Sequence, residues 1–169
     1  MLLSLSKIID RPGGVVPFKI SLDLHDLVFG GSCPVTEPVI ADGEVRNTAG
    51  VLQLTGKAET TLHGTCDRCA ASFDRHVSFP MQALLVSELA NDNGEEDLWT
   101  FLLEGDDADL DDIVTTAFVL NMDAKLLCRD DCKGLCCRCG KNLNEGPCDC
   151  KPEIDPRLAV LQQLLKDKK

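Results

Sequence analysis

The chain has no tyrosine, one tryptophan and six phenylalanines in 169 residues. A core must therefore be built mostly from Leu, Val, Ile and Ala, and aromatics interleaved with bases, which would stack single-stranded RNA, are missing. No run of about 18 apolar residues exists, so nothing in the sequence reads as a membrane-spanning helix. The opening stretch MLLSLSKIIDRPGG lacks the basic start and small-residue cleavage site of a secretory signal. These absences read as a cytoplasmic protein with no membrane partner. Gly-x-Ser-x-Gly, a P-loop lysine and His-Glu-x-x-His are all missing. His25, His63 and His76 lie apart in sequence, and the carboxylates of the acidic stretch 88–112 have no neighbouring His or Lys to divide acid and base roles with. No catalytic constellation is visible, and there is no internal repeat or low-complexity linker.

Basic residues are absent from one long stretch. Between Glu88 and Asp112 there are eleven acids and no Lys or Arg, and this segment carries the whole formal charge of −11. The remainder is balanced at 17 acids and 17 bases, which leaves room for a basic face. Residues 88–112 read as an acidic, solvated loop or as a docking patch for a basic partner.

Cysteine is what the chain has in excess. Seven of the ten lie in CRDDCKGLCCRCGKNLNEGPCDC, Cys128 to Cys150, and two more form CDRC, Cys66 to Cys69. In a reducing compartment thiols this close bind metal or do redox work more readily than they form structural disulfides. Zinc holds four thiolates in a tetrahedron at about 2.3 Å, and a C-x2-C turn aims two sulfurs at one ion. The pairs are Cys66 with Cys69, Cys128 with Cys132, Cys136 with Cys139, and Cys148 with Cys150. Spacing suggests one site from Cys136, Cys139, Cys148 and Cys150 and a second from Cys66, Cys69, Cys128 and Cys132. A swap of partners fits the spacing too, so the cofactor expected is one or two structural Zn2+. An iron–sulfur cluster is the metallic rival, but neither ferredoxin spacing is present. A redox dithiol at CDRC conflicts with its place between apparent strands. Cys33 and Cys137 are left as spare thiols, although Cys137 can stand in for a neighbouring ligand. His63, three residues before Cys66, is the one histidine placed to ligate, against the simpler reading of a solvent-facing strand residue.

Strand periodicity runs through the first half. Phe18, Ile20, Leu22 and Leu24 alternate in residues 15–24, with Pro17 at a strand edge. Residues 39–47 and 51–66 flank an Asn/Gly turn as a hairpin, and 72–89 reads as a further strand, so CDRC joins two strands of a meander. Leu98, Trp99, Phe101, Leu102 and Leu103 read as one more short strand or a core plug. Asp109 caps an expected helix over 109–121. Asp155 and Pro156 start a second, over 153–169, with Leu158, Leu161, Leu164 and Leu165 on one stripe. The expected class is α+β: an antiparallel β-rich body (1–121), a meander or partly closed barrel, then a cysteine-rich metal segment (122–152) and a terminal helix packed on the body.

The blocks CDRC, CRDDCKGLCCRCGKNLN, CDC and DPRLAVLQQLL resemble the YceD family of bacterial proteins. In many Gram-positive members the middle block reads C-K-G-L-C-P-x-C-G-x-N-L-N, and Cys137 stands here where Pro is usual. Some members keep the first C-x-x-C without the later cluster. The resemblance implies a role in accumulation of the large-subunit (23S) ribosomal RNA and in ribosome biogenesis. Partners would be that RNA or its assembly intermediates, directly or through ribosomal proteins. Lys125, Arg129, Lys133, Arg138, Lys141, Lys151 and Arg157 cluster near the cysteines. A four-thiolate zinc site carries about −2 and offsets part of their field. The alternatives are a metal-dependent or thiol-based enzyme acting on RNA or protein, a zinc-ribbon interaction module, and a zinc reservoir.

Overall fold

A computed structural model describes residues 1–87 and 99–150. Seven strands and one helix are present among them: β1 (Leu2–Ser4), β2 (Val15–Leu22), β3 (Val39–Thr48), β4 (Val51–Thr65), β5 (Ser72–Val86), β6 (Trp99–Leu102), β7 (Asp107–Asp109) and α1 (Leu110–Asn121). The expected meander is there. Strands β2, β3, β4 and β5 pair antiparallel in sequence order, and the CDRC turn joins β4 to β5.

Alternation decides which face is buried. Val39, Ala41 and Val45 of β3, Leu52, Leu54, Ala58 and Leu62 of β4, and Phe79, Met81, Ala83 and Leu85 of β5 all point to one side. Helix α1 covers that side with Leu110, Ile113, Val114, Ala117 and Phe118, a stripe at helical spacing. Phe118 meets Phe29 and Phe79 edge-on, with ring centroids 5.8 and 5.7 Å apart. Three of the seven aromatics of the chain thus meet at one point under the helix. Asp109 caps α1 as expected, its carboxylate accepting from the N–H of Asp111.

Three expectations need correction or limitation. The five-stranded sheet is open, with β2 and β6 at its edges, so no partly closed barrel forms among the described residues. Its two long strands run antiparallel through 14 paired positions and end at the CDRC turn, and no pairing joins β2 to β6. One helix is present where two were expected; the second, over 153–169, lies outside the described residues. The stretch 88–112 is more than a loop, because Trp99–Leu102 joins β5 in parallel and Asp107–Asp109 pairs with β1.

Asn47 escaped notice as a mere turn residue. It is 1% exposed, its amide donates to the carbonyls of Ile8 and Ile9 at 2.7 and 2.8 Å, and its Oδ1 accepts from Gly50. One side chain therefore satisfies the backbone of an N-terminal loop and of the β3–β4 turn. Asn47→Ala takes the side-chain donor from the Ile9 carbonyl and the acceptor from the Gly50 N–H, leaves the Ile8 carbonyl with the Arg11 N–H alone, and is expected to cost about 2 kcal/mol, read as a lower denaturant midpoint at unchanged slope.

Candidate metal centres

The ends of β4 and β5 set up the first site. Cys66 donates its N–H to the carbonyl of Ala71 at 2.9 Å, and Ala70 donates to the carbonyl of Cys66 at 2.8 Å. Cys136 repeats this turn: its N–H reaches Lys141 at 2.8 Å, and Gly140 donates back to Cys136 at 2.9 Å. Ala70 and Gly140 hold matching left-handed backbones, φ 54° and 71°. Even the pairings outside the turns match, Thr65 with Ser72 and Leu135 with Asn142. CDRCA and CCRCG are thus the same knuckle built twice, a likeness that Ala70 in the glycine position hides from the sequence.

The chain brings eight thiols into two groups of four. Cys66, Cys69, Cys128 and Cys132 form an inner set, and Cys136, Cys139, Cys148 and Cys150 an outer set. Within each, all four sulfurs lie within 4.8 Å of one another. This is the grouping the spacing suggested, and partners are not swapped. Cys66 and Cys132 sulfurs are 3.8 Å apart, and those of Cys69 and Cys128 are 3.7 Å apart. A tetrahedron with ion–sulfur bonds of about 2.3 Å has edges of about 3.8 Å. The inner set is therefore sized for one ion. Iron–sulfur clusters place their thiolates on different irons and need a wider set.

Contacts independent of any ion align the inner set. Asp67 accepts from the N–H of Leu126 at 2.7 Å and donates its own N–H to the Leu126 carbonyl at 2.8 Å. The Arg68 guanidinium reaches the carbonyls of Asp130 and Cys132, and the Arg68 carbonyl accepts from Leu135 at 3.1 Å. The two residues between Cys66 and Cys69 thus clasp the segment that carries Cys128 and Cys132. Gly134 lets this happen: φ is +73°, and a Cβ there would lie 2.9 Å from the Arg68 carbonyl oxygen. Cys66, Cys69 and Cys132 are buried, whereas Cys139 and Cys150 of the outer set are exposed.

Thiol acidity is divided inside each set. Burial raises the Cys66 thiol, but the N–H groups of Cys128, Cys69 and Arg68 outweigh it and hold Cys66 at about 6. Burial and the thiols of Cys66 and Cys132 push Cys128 up to about 12. In the outer set the N–H groups of Cys139 and Arg138 bring Cys136 to about 6, and the Cys139 thiol together with burial pushes Cys150 up to about 12. The Asn144 amide, donating at 3.3 Å, lowers Cys132. Each set thus joins an acidified thiol, Cys66 or Cys136, to two raised ones, Cys69 and Cys128 or Cys148 and Cys150, whose protons a captured cation must expel.

The remaining candidates fall outside both sets. Cys33 and Cys137 are exposed and belong to neither. His63 points to Asp74 across the β4–β5 pair, Nδ1 to carboxylate 2.7 Å, as a strand histidine. Asn144, Asp67 and Arg68 are the residues the sequence reading missed; for the last two the available signal was their position between two ligands.

A family profile described as large ribosomal RNA subunit accumulation protein YceD matches residues 54–165, a span that takes in all eight clustered cysteines. The chain belongs to the YceD family. An uncharacterized protein of Mycobacterium tuberculosis is 26% identical over 98% of this chain and 81% of its own length. The maize large ribosomal RNA subunit accumulation protein YCED homolog 1, chloroplastic, is 26% identical over 80% of this chain and 56% of its own length. Its Arabidopsis thaliana counterpart is 26% identical over 80% of this chain and 49% of its own length. No solved structure matches. Among the described residues of this YceD chain, no helix is long and apolar enough to cross a membrane.

A proton count follows from the thiol chemistry. Cys69 and Cys148, like Cys128 and Cys150, are raised above the ordinary thiol value of 9.0. For Cys69 burial and its sulfur neighbours outweigh the Ala71 N–H, and for Cys148 Cys136 and burial outweigh the Cys150 N–H. At pH 7 each set therefore holds at least two protons that a dication must displace. Affinity is expected to rise by at least about 100-fold per pH unit near neutrality and to weaken more steeply below about 6, where Cys66 and Cys136 also take up protons. Zinc added to the reduced, metal-free chain in a weakly buffered indicator should release two or more protons per ion; one or fewer would contradict this.

Proposed function

We propose that this YceD protein is a non-enzymatic accessory factor for accumulation of the large-subunit (23S) ribosomal RNA, shaped by two structural zinc ions. The observation that carries the reading is the closure of both cysteine sets. Four sulfurs around one ion leave no open position for water or substrate, which is the pattern of a structural site and not of a hydrolytic one. The inner ion would tie the β4–β5 turn to the segment after α1, and the outer would fold the 136–150 loop on itself. Zinc suits an all-thiolate tetrahedron, and the cytoplasm, where we place the protein, keeps the thiols reduced.

The charge favours an indirect route to the RNA. Two four-thiolate sites would take the formal charge from −11 to roughly −15. Lys125, Arg129, Lys133, Arg138 and Lys141 are interleaved in sequence with as many acids, Asp123, Asp130, Asp131, Glu145 and Asp149, and Arg129 is paired with Asp131 at 3.3 Å, so this segment carries no net positive charge. Phosphate neutralisation, the main source of RNA affinity, has little to work with. A basic ribosomal protein, met by the acidic stretch that includes Glu104, Asp106 and Asp112, is the partner this surface suits. Depleting the protein is expected to lower 23S relative to 16S RNA in total cellular RNA; an unchanged ratio would refute the role.

A further inference from the structure

Asn144 belongs to one cysteine set by sequence and to the other by contact. It lies in the loop between Cys139 and Cys148 of the outer set, yet its Nδ2 donates to the sulfur of Cys132 in the inner set at 3.3 Å. The amide is held in that pose from several sides. Its Oδ1 accepts from the N–H of Lys133 at 2.8 Å, while its Nδ2 and its own N–H both donate to Asn142 Oδ1, at 2.8 and 3.0 Å. Next to it, Leu143 donates to the Gly134 carbonyl at 2.9 Å, so the loop lies directly on the clasp of the inner set.

A donor to a ligating sulfur draws charge from it and lowers the cost of gathering four thiolates around one dication. Whether that donor stays in place depends on the loop that carries it. Among the described residues this loop contributes nothing to the buried apolar core. Hydrogen bonds to Gly134, Lys133 and Pro147 hold it on one side; its two ends are Cys136/Cys139 and Cys148/Cys150, so an ion in the outer set would add the tie that joins those ends. Cys139 and Cys150 are exposed, so that ion is the more accessible of the two.

We propose that Asn144 is a positioning residue that couples the two centres: an ion in the outer set holds the amide on Cys132 and so slows loss of the ion from the inner set. This rests on reading both cysteine sets as metal centres. The coupling makes the outer set an exchangeable position whose occupancy is felt at the staple of the fold.

The test uses the reduced full-length chain loaded with Zn2+ or Co2+, with transfer to EDTA followed in time. Two ions per chain are expected, the outer leaving first; fewer than two would overturn the metal reading itself. With two ions bound, Cys148→Ser/Cys150→Ser should keep one ion and release it about tenfold faster than the slow ion of the unaltered chain, the scale on which outer-shell partners act. Asn144→Ala should keep both ions, speed the slow phase similarly, and add nothing when combined with the double serine change. Its inner Co2+ should also show the sulfur-to-metal charge-transfer band at lower energy, a shift that a loss of stability alone does not produce. A slow phase and band unchanged by either variant would overturn the coupling while leaving the two-site reading intact.

Discussion

Cys66→Ser is expected to release one ion per chain and to lower the melting temperature by about 10–20 °C, enough to unfold much of the protein at physiological temperature. The sulfur is 2% exposed, so the loss cannot be made good by water. Hydroxyl oxygen is a poor substitute for thiolate, and the remaining thiols of the inner set, crowded within 4.8 Å, would have no cation to offset their charge. Structural zinc contributes folding free energy outright, on the order of 10 kcal/mol in small finger peptides. Here an ion would bridge positions some sixty residues apart, while ordinary domains have a net stability of only about 5–15 kcal/mol. A loss of about 5 kcal/mol gives the stated shift. Cys139→Ser, in the exposed outer set, should also lose one ion but move the melting temperature far less. Equal shifts for the two variants would contradict the division into an inner staple and an outer loop. Calorimetry with metal analysis on the same samples reads both quantities.

Much of this architecture is legible in the residues, for physical reasons that differ by element. Strands β2 to β5 alternate because one face meets α1 and the other meets solvent, so Phe18/Ile20 and Leu52/Leu54 announce themselves by period. Helix α1 declares its start through Asp109 and its face through Leu110, Ile113 and Ala117, but Leu120, which continues that spacing, is exposed while Phe118 takes the core position. The cysteine pairs are legible because a C-x2-C turn has few other uses in a reducing compartment. Their grouping is legible only in part: spacing favoured the two sets that the fold brings together, but a swap of partners fitted it too, because spacing does not fix which turns meet in space. That depends on Asp67 and Arg68, whose contacts with Leu126 and Leu135 are bonds to backbone and carry no sequence pattern. The parallel pairing of β6 and the open sheet were unreadable for a similar reason. A strand of four residues at 99–102, three of them apolar, has no period long enough to state a direction, and closure depends on the two edges meeting. Asn144 was hidden most completely, since a surface asparagine between glycines reads as a turn residue until a sulfur is found at its amide.

Gly134→Ala separates the clasp from the cysteines themselves. At φ +73° any L-residue meets strain of about 1–2 kcal/mol, and the new methyl would stand 2.9 Å from the Arg68 carbonyl oxygen, a backbone atom that cannot swing aside. Relief requires the 132–135 segment to retreat from the CDRC turn, stretching the Leu135-to-Arg68 bond and displacing Cys132 from its partners. The combined cost is expected to be about 3 kcal/mol, with faster loss of the inner ion. Gly140→Ala is the matched control. Its φ of +71° imposes the same backbone strain, but nothing lies within 4 Å of the added carbon, so a loss of only about 1 kcal/mol is expected and the inner ion should stay. Ala70, which already tolerates φ 54° at the equivalent place in the first knuckle, supports that smaller figure. Denaturant unfolding of the two variants, with and without chelator, measures the difference. If Gly134→Ala behaved like Gly140→Ala, the Arg68 clasp would contribute nothing to the alignment of the inner thiols, and the Asp67–Leu126 bonds and the ion would hold the two segments together without it.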